Sequence, residues 1–573
     1  MKKIIELNKN WLYSAKETEN GRAFSDTVMD LPFFHTAETM AEGTFSVKWT
    51  PAESEDGKTV YIEFQQISGE AKIYLGDTLL GVHKEGLFRF RQLLSLEVHM
   101  GEEYEIRVEV TPGSRPDALF AFAGVSLICV DSSHFNMTEN EKNLSITSVI
   151  KDKKAEITVS TDIVRPNNYD VVSYTVTDMK GDVLFSKTCK PTEPGAVFSL
   201  DMPEFWDGQS GAYLYGLNAK LLRDSRCLDE ISTSFGLRDI KLQSDGFLYL
   251  NGFRLPLNGV ALTDCSSIKS DCMKLRDLDG NLLLAKLLPS KTDLLSFTDK
   301  DGMLFWYDLH YSGDTDKDIN ELKDFLLLNR NHPSLTAVVC SEKADDNYFR
   351  LFRETVAKYA PAVFPVLRRD INTAADTIPE GADVLMLTIP CKSEPDAFIS
   401  IGGRFSELQN RYPDKYFAIY PENPERTETT ENEHNAWHIR LWTAFCRQKN
   451  VIAYFGGFLT DGKTVDSKRG LVSADRSTEY DAFWYYRSQF SAKSFVKICN
   501  TDTNETADKF SDIRCITNCK NLRILINGKD KKHKAEKITD GVYVFRQIKL
   551  KKDVNLIEVS ADDECDSIEI LRF

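Results

Sequence analysis

The sequence predicts a multidomain α+β chain in which β-sandwiches flank a (β/α)8 TIM barrel. Three observations predict it. Short strands with period-two alternation, separated by turn residues, fill about the first 240 residues and return after about residue 494. Strand-like and helix-like stretches alternate between about residues 255 and 490, as successive βα units require. Within that part, Leu335 to Cys340 is apolar without alternation, so both faces are expected to be covered, as in a parallel sheet. A helix end precedes it at Asn329, a turn spans Asn331 to Ser334, and the charged pair Glu342-Lys343 follows. The carboxyl ends of barrel strands are where such folds carry chemistry.

Bulk properties bound the rest. A length of 573 residues suggests about four domains, and 42% hydrophobic with 11% aromatic residues supplies packed cores. The 71 basic and 87 acidic residues leave a net charge of −16, which argues against nucleic acid and anionic membranes and suits a neutral ligand such as a sugar. No run reaches the roughly 18 apolar residues of a transmembrane helix. The first residues, Met1-Lys2-Lys3-Ile4-Ile5-Glu6-Leu7, carry charge but no apolar signal-peptide core, so a cytoplasmic location is expected. The twelve cysteines form no CxxC pair; the nearest two are Cys515 and Cys519. They read as reduced, mostly buried thiols, and the nine histidines do not cluster with them, so no metal is expected. No phosphate loop, nucleophile elbow or dinucleotide fingerprint is present, and no cofactor is expected.

In order, Thr59–Phe64, Ala71–Leu75 and Tyr104–Val110 read as strands of a first sandwich. Ala155–Ser160 and Val171–Val176 alternate in a second. Asn251-Gly252 is a hairpin signal, because both central turn positions need positive φ. Asp512–Thr517 and Leu522–Lys529 alternate in a last sandwich, and the lysine-rich run Lys529 to Lys537 reads as a solvated hairpin rather than a binding patch.

These pieces resemble glycoside hydrolase family 2, the β-galactosidase and β-glucuronidase family. Asn331-His332-Pro333-Ser334 and the apolar strand after it resemble that family's fourth barrel strand. Leu7 to Trp11, Leu31-Pro32, and Ile73 to Asp77 with Gly81, His83 and Gly86 resemble its opening jelly roll. Trp206-Asp207 with Tyr213-Leu214-Tyr215 resembles the closing strands of its immunoglobulin-like domain, and Ser234 to Ile240 the strand leading into the barrel. Asp245 to Val260 resembles the hairpin and first barrel strand, Asp299 with Gly302 to Trp306 the third, and Lys415 to Tyr420 the seventh. Gly470 to Val472, Asp475-Arg476 and Asp481 to Tyr486 resemble the last helix. The resemblance implies a jelly roll over 1–132, an immunoglobulin-like sandwich over 133–240, a TIM barrel with trimmed loops over 241–492, and a C-terminal immunoglobulin-like sandwich over 493–573.

The family's chemistry is retaining β-glycoside hydrolysis, which needs two carboxyl groups roughly 5 Å apart. The resemblance implies an acid/base at the end of strand four and a nucleophile at the end of strand seven. Ungapped, it puts Lys343 on the first, with Glu342 one residue before, and Pro421 on the second, with Glu422 one residue after. In a strand, a one-residue shift turns a side chain to the opposite face. Lysine, with an ordinary pKa near 10.4, is no substitute for the acid, and proline brings no nucleophile. Other family positions are also changed. The first-strand histidine falls in Val260 to Asp264, an arginine and a histidine fall at Leu284 and Leu287, an Asn-x-Tyr near Leu387-Thr388-Ile389, and a late tryptophan near Phe455. Asp308 and Phe455 are the candidate substrate-binding residues. Asp308 with His310 is a rival acid/base pair that reads better as a rim pair, and His434 with His438 share a helix face without the acidic pattern of a metal site.

The expectation is a β-galactosidase-like protein of carbohydrate metabolism with impaired or lost hydrolysis. Two alternatives stay open: an active retaining β-glycosidase using Glu342 as acid/base and Glu422 as nucleophile, and a non-catalytic carbohydrate-binding or structural protein. Whether the chain is an enzyme is left open. The expected ligand is a β-glycoside, and a homo-oligomer is compatible with the sequence.

Overall fold

The computed structural model describes residues 2–15, 24–35, 42–67, 69–84, 88–112, 120–137, 144–151, 153–193, 195–262, 267–286, 293–374, 378–390, 395–422, 431–462, 468–499 and 505–573. The chain divides into two compact units, Met1–Ile240 with Leu287–Pro365, and Lys241–Lys286 with Val366–Phe573.

The first unit begins with two antiparallel sheets. One contains Lys3–Glu6, Phe120–Val130, Thr59–Ile67 and Phe90–Ser95; the other runs from Phe24–Met29 through Trp11–Ala15, Gly43–Trp49, Tyr104–Pro112 and Gly69–Leu75 to Thr78–His83. Alternate residues such as Phe45, Val47, Ile106 and Val108 point inward and join Trp11, Ile62 and Leu127 in one core. A second sandwich follows. Ser145–Lys151, Lys154–Ser160 and Ala196–Asp201 form one sheet, and Val183–Cys189, Asp170–Thr177, Tyr215–Arg223 and Arg226–Phe235 form the other. Its core gathers Ile157, Tyr174, Phe198 and Leu217.

Eight parallel strands close a barrel in sequence order. They are β1 (Leu257–Ala261), β2 (Leu282–Ala285), β3 (Leu304–Asp308), β4 (Leu335–Cys340), β5 (Phe364–Asp370), β6 (Val384–Ile389), β7 (Tyr416–Pro421) and β8 (Val451–Phe458). The helices are α1 (Ile268–Asp277), α2 (Asp293–Asp301), α3 (Thr315–Asn329), α4 (Asp346–Tyr359), α5 (Pro395–Arg411), α6 (Glu431–Phe445) and α7 (Asp481–Phe490). Asp314 and Asp345 cap α3 and α4 by accepting the Lys317 and Tyr348 backbone N–H groups. Among the described residues no α-helix lies between β5 and β6.

The second unit ends in a third sandwich, whose core includes Ile498, Ile513, Phe545 and Ile557. Asn251 and Gly252 take φ of 50° and 85° between Leu248–Leu250 and Phe253–Arg254, the hairpin read from the sequence. Lys529, Lys531, Lys532 and Lys534 are exposed. One expectation needs correction. Ser234 to Ile240 is not one strand: the sandwich strand stops at Phe235 and the next begins at Ile240. The break serves close packing, since a Cβ on Gly236 would lie 2.8 Å from both Pro333 Cγ and Trp206 Cβ. Among the described residues every cysteine is a free thiol, and no helix is long and apolar enough to cross a membrane.

Candidate functional site

The N-terminal end of β4 is a dense hydrogen-bonded junction within the first unit. Asn331 Nδ2 donates to the Leu144 carbonyl and its Oδ1 accepts from the Ile146 N–H, both at 3.2 Å. His332 Nδ1 lies 2.6 Å from Asp299 Oδ2, and the Ser334 N–H donates to Asp299 Oδ1 at 2.9 Å. Trp206 Nε1 donates to the Asp299 carbonyl at 2.8 Å. Thr298 Oγ1 is 2.9 Å from Ser334 Oγ, and Arg238 Nη2 donates to the Leu335 carbonyl at 2.6 Å. Burial pulls the Arg238 guanidinium down to about 10, against the raising effect of the Asp299 charge.

The C-terminal end of β4 is plainer. All six strand residues are buried, and the chain leaves in a turn where Ser341 Oγ accepts the Lys343 N–H at 3.2 Å. Glu342 and Lys343 are both exposed on that turn. Asp308, the last residue of β3, is 7% exposed, and His310 beyond it is half-buried.

Strands β5 to β8, with β1 and β2, belong to the second unit, and two aromatic clusters fix which way their side chains point. Phe417 packs on Phe405 of α5 at 5.1 Å, and Tyr454 on Trp442 of α6 at 4.8 Å, so both face the helices. Their neighbours Ala418, Tyr420 and Phe455 therefore face the lumen. The rings of Tyr420 and Phe455 meet at 5.9 Å. Pro421 is buried and falls with Ile419 on the helix side. The Glu422 N–H still bonds the Ile389 carbonyl at 2.9 Å, so the ladder runs one residue past β7 and its period groups exposed Glu422 with Tyr420.

The regular pairing of β5 with β6 and β6 with β7 extends this layer. Asp370 pairs with Thr388, and Thr388 with Tyr420. Phe455 pairs with Gly259, and Gly259 with Leu282. By strand register, polar Asp370, Thr388 and Tyr420 near the C-terminal ends of β5 to β7 thus lead on to apolar Phe455, Gly259 and Leu282, the last at the start of β2. One layer down, Arg368 places its guanidinium 5.3 Å from the centre of the Tyr420 ring. Thr388 is only 5% exposed, and its Oγ1 has no hydrogen-bond partner among the described residues. Asp370 Oδ1 accepts from the Asn372 N–H at 2.7 Å and from Asn372 Nδ2 at 2.8 Å. Asn372 Oδ1 in turn accepts from Arg404 of α5.

Phe455 is fully buried, its ring 2.8 Å from where a Cβ on Gly259 would stand. Leu284 is buried on the same face as Leu282. Leu287, Thr263, Asp264 and Gly86 lie outside the described residues. His434 and His438 are buried 4.7 Å apart, with His438 Nδ1 2.8 Å from the Tyr486 hydroxyl. Among the described residues no group of three or more His, Cys, Asp or Glu could hold a metal ion. Sequence reasoning passed over Arg368, Asp370 and Tyr420 and met Thr388 only as a changed position. The available signal was the polar punctuation of two short apolar runs, Val366 to Asp370 and Val384 to Ile389.

Known proteins bear on this arrangement. Residues 133–238 match the model of the glycosyl hydrolases family 2. A β-galactosidase of Thermoanaerobacter pseudethanolicus is 24% identical over 60% of this chain, which spans 53% of that protein's length. A β-glucuronidase of Bacteroides fragilis is 19% identical, with 97% of this chain and 91% of that one covered. The solved structure of an FMN-binding β-glucuronidase from Facaelibacterium prausnitzii L2-6 superposes with a TM-score of 0.84 at 19% identity, covering 100% of this chain and 98% of that one. The family match thus rests on residues 133–238, while the chain as a whole is similar to β-galactosidases and β-glucuronidases at 19–24% identity and shares the fold of a solved β-glucuronidase.

Proposed function

We propose that this β-galactosidase/β-glucuronidase-like protein binds a β-glycoside and that its hydrolysis is impaired or lost. What supports the reading is the identity of the two residues that the resemblance puts on the family's catalytic positions, Lys343 after β4 and Pro421 at the end of β7. Retaining hydrolysis uses one carboxyl as acid/base and a second as nucleophile. General acid assistance is worth about 10²–10⁴ in rate, and an ammonium with an ordinary pKa does not supply it near neutrality. Carbohydrate binding needs neither position. It draws on the lumen side chains of β5 to β8, with Phe455 as an apolar wall. The same reading takes 1–132, 133–240, 241–492 and 493–573 as its four modules, a cytoplasmic location and a homo-oligomeric assembly.

One observation favours a second reading, an active hydrolase using Glu342 as acid/base and Glu422 as nucleophile: the strand period groups Glu422 with lumen-facing Tyr420. A panel of nitrophenyl β-glycosides separates the two. The first reading expects turnover in the parent to be absent or weak, and indifferent to Glu342→Gln and Glu422→Gln. Turnover abolished by both Glu342→Gln and Glu422→Gln would establish the second. A parent that binds no glycoside leaves a structural role.

A further inference from the structure

We propose that the N-terminal end of the barrel strands in the second unit carries a pocket for a small organic anion with a planar aromatic body, lined by Phe247, Arg254, Trp442 and Lys449. The inference goes beyond the carbohydrate reading and stands on different residues.

A cavity of about 390 Å³ opens between the Leu248–Leu250 and Phe253–Arg254 hairpin, the start of β1 and the turn from α6 into β8. The volume lies at the small end of the roughly 300–1,000 Å³ that ligand pockets span, which suits one or two rings. Leu257 and Val451, both in its lining, are the first residues of β1 and β8. The cavity therefore stands at the opposite end of the strands from the carboxyl rim, and the length of β8 separates the two by roughly 23 Å.

The walls combine aromatic surface with positive charge. Tyr249 and Arg254 are register partners across the hairpin, which makes Phe247 a diagonal neighbour of Arg254. The Arg254 guanidinium lies 3.3 Å from the centre of the Phe247 ring, a cation–π contact that holds the charge without neutralising it. Half-buried Trp442 stands in the last turn of α6, its ring in T-shaped contact with Tyr454 at 4.8 Å and Phe490 at 5.4 Å. The chain leaving α6 adds Arg447 and Lys449. Between them, Gln448 Nε2 donates to the Ala444 carbonyl at 3.1 Å, covering one of the acceptors at the negative end of the helix.

Among the described residues the lining holds three cations and no carboxylate, in a chain whose net charge is −16. Arg254 and Lys449 are exposed to an incoming ligand and make no ion pair among the described residues. Two acids near the cavity are engaged. Asp245 accepts the Tyr249 hydroxyl at 2.6 Å. Asp540 pairs with Lys537 at 2.6 Å and with Arg447 at 3.2 Å, which removes Arg447 from the essential set. An anionic group entering the cavity thus meets two cations with no competing carboxylate on the wall, and its charge strengthens the hydrogen bonds they donate. The ring it carries covers apolar wall and leaves water.

The test is calorimetric titration of the full chain with 1-naphthoate, with neutral 1-naphthamide and with inorganic phosphate. Naphthoate is expected to bind, with the amide and phosphate each weaker by about ten-fold or more. Arg254→Gln and Lys449→Gln should each weaken naphthoate by about ten-fold and leave the amide unchanged. Trp442→Leu should weaken naphthoate and amide alike. Lys534→Gln, an exposed lysine of the third sandwich, should change nothing. Thermal midpoints of the variants check that the fold is retained. Absence of naphthoate binding, an amide that binds as tightly, or indifference to Arg254→Gln and Lys449→Gln overturns the inference. So does a loss in Lys534→Gln as large as theirs, which would mark attraction to surface charge at large. None of these outcomes bears on glycoside binding, which draws on other side chains.

Discussion

The two ends of the six-residue strand β4 differ in how they are held. At the N-terminal end, Asn331, His332 and Ser334 each bond to partners distant in sequence: Leu144 and Ile146, Asp299, and Thr298. At the C-terminal end, Glu342 and Lys343 project from a turn closed by Ser341. The motif that best carries the family resemblance is therefore a structural junction, and the residues that would carry its chemistry stand on an exposed loop where folding places little demand. Likeness at one end of a strand gives no warrant for activity at the other.

The largest effect that sharpens this contrast should come from Asp299. It is fully buried and receives both His332 and the Ser334 N–H, so Asp299→Ala strands two polar groups at once. A loss of about 3–5 kcal/mol is expected in denaturant unfolding. A loss below 1 kcal/mol would break the claim that the junction holds the fold. Next comes acid sensitivity in the jelly roll, where another residue of the resemblance is packed away. The His83 ring stacks on Phe90 at 3.6 Å, and burial holds its pKa down to about 4 from an ordinary 6.5. The unfolded chain binds the proton first, so this stability is complete above pH 6.5 and drains away as pH falls toward 4. About 2–3 kcal/mol is at stake, and His83→Phe should flatten the thermal midpoint against pH over that window.

Smaller still is Asn331→Ala, which removes two bonds to the neighbouring sandwich for about 1–2 kcal/mol, read as a shifted urea midpoint. Smallest is the exposed turn. Glu342→Gln and Lys343→Met should each move the midpoint by under about 0.5 kcal/mol. An effect there as large as that of Asn331→Ala would erase the contrast between the two ends.

Much of the frame was legible because local chemistry and tertiary demand agree. An unbroken apolar run bounded by Asn-His-Pro-Ser gave β4 as Leu335–Cys340, and Asn251-Gly252 gave its hairpin, since few residues accept φ of 50° and 85° in succession. Ser234 to Ile240 misled because a family resemblance does not show a glycine wedged between Trp206 and Pro333. The lumen layer was harder. Whether Arg368 or Arg369 faces inward depends on strand parity, and parity is set by where Phe417 and Tyr454 meet their helices, a long-range fact. Thr388 sits in an otherwise apolar strand, where a single hydroxyl reads as a tolerated exception until its Oγ1 proves to be buried with no partner among the described residues.

The line from Arg404 through Asn372 to Asp370 ties the outer surface of the barrel to its interior. An exposed arginine on α5 is open to surface drift, to a change of salt, or to a partner that covers it. Any of these would alter how firmly the Asp370 carboxylate is held, without touching the strands. In such an arrangement the set of a strand-end side chain becomes adjustable from outside, and natural variation in α5 would register there before any lumen residue had mutated.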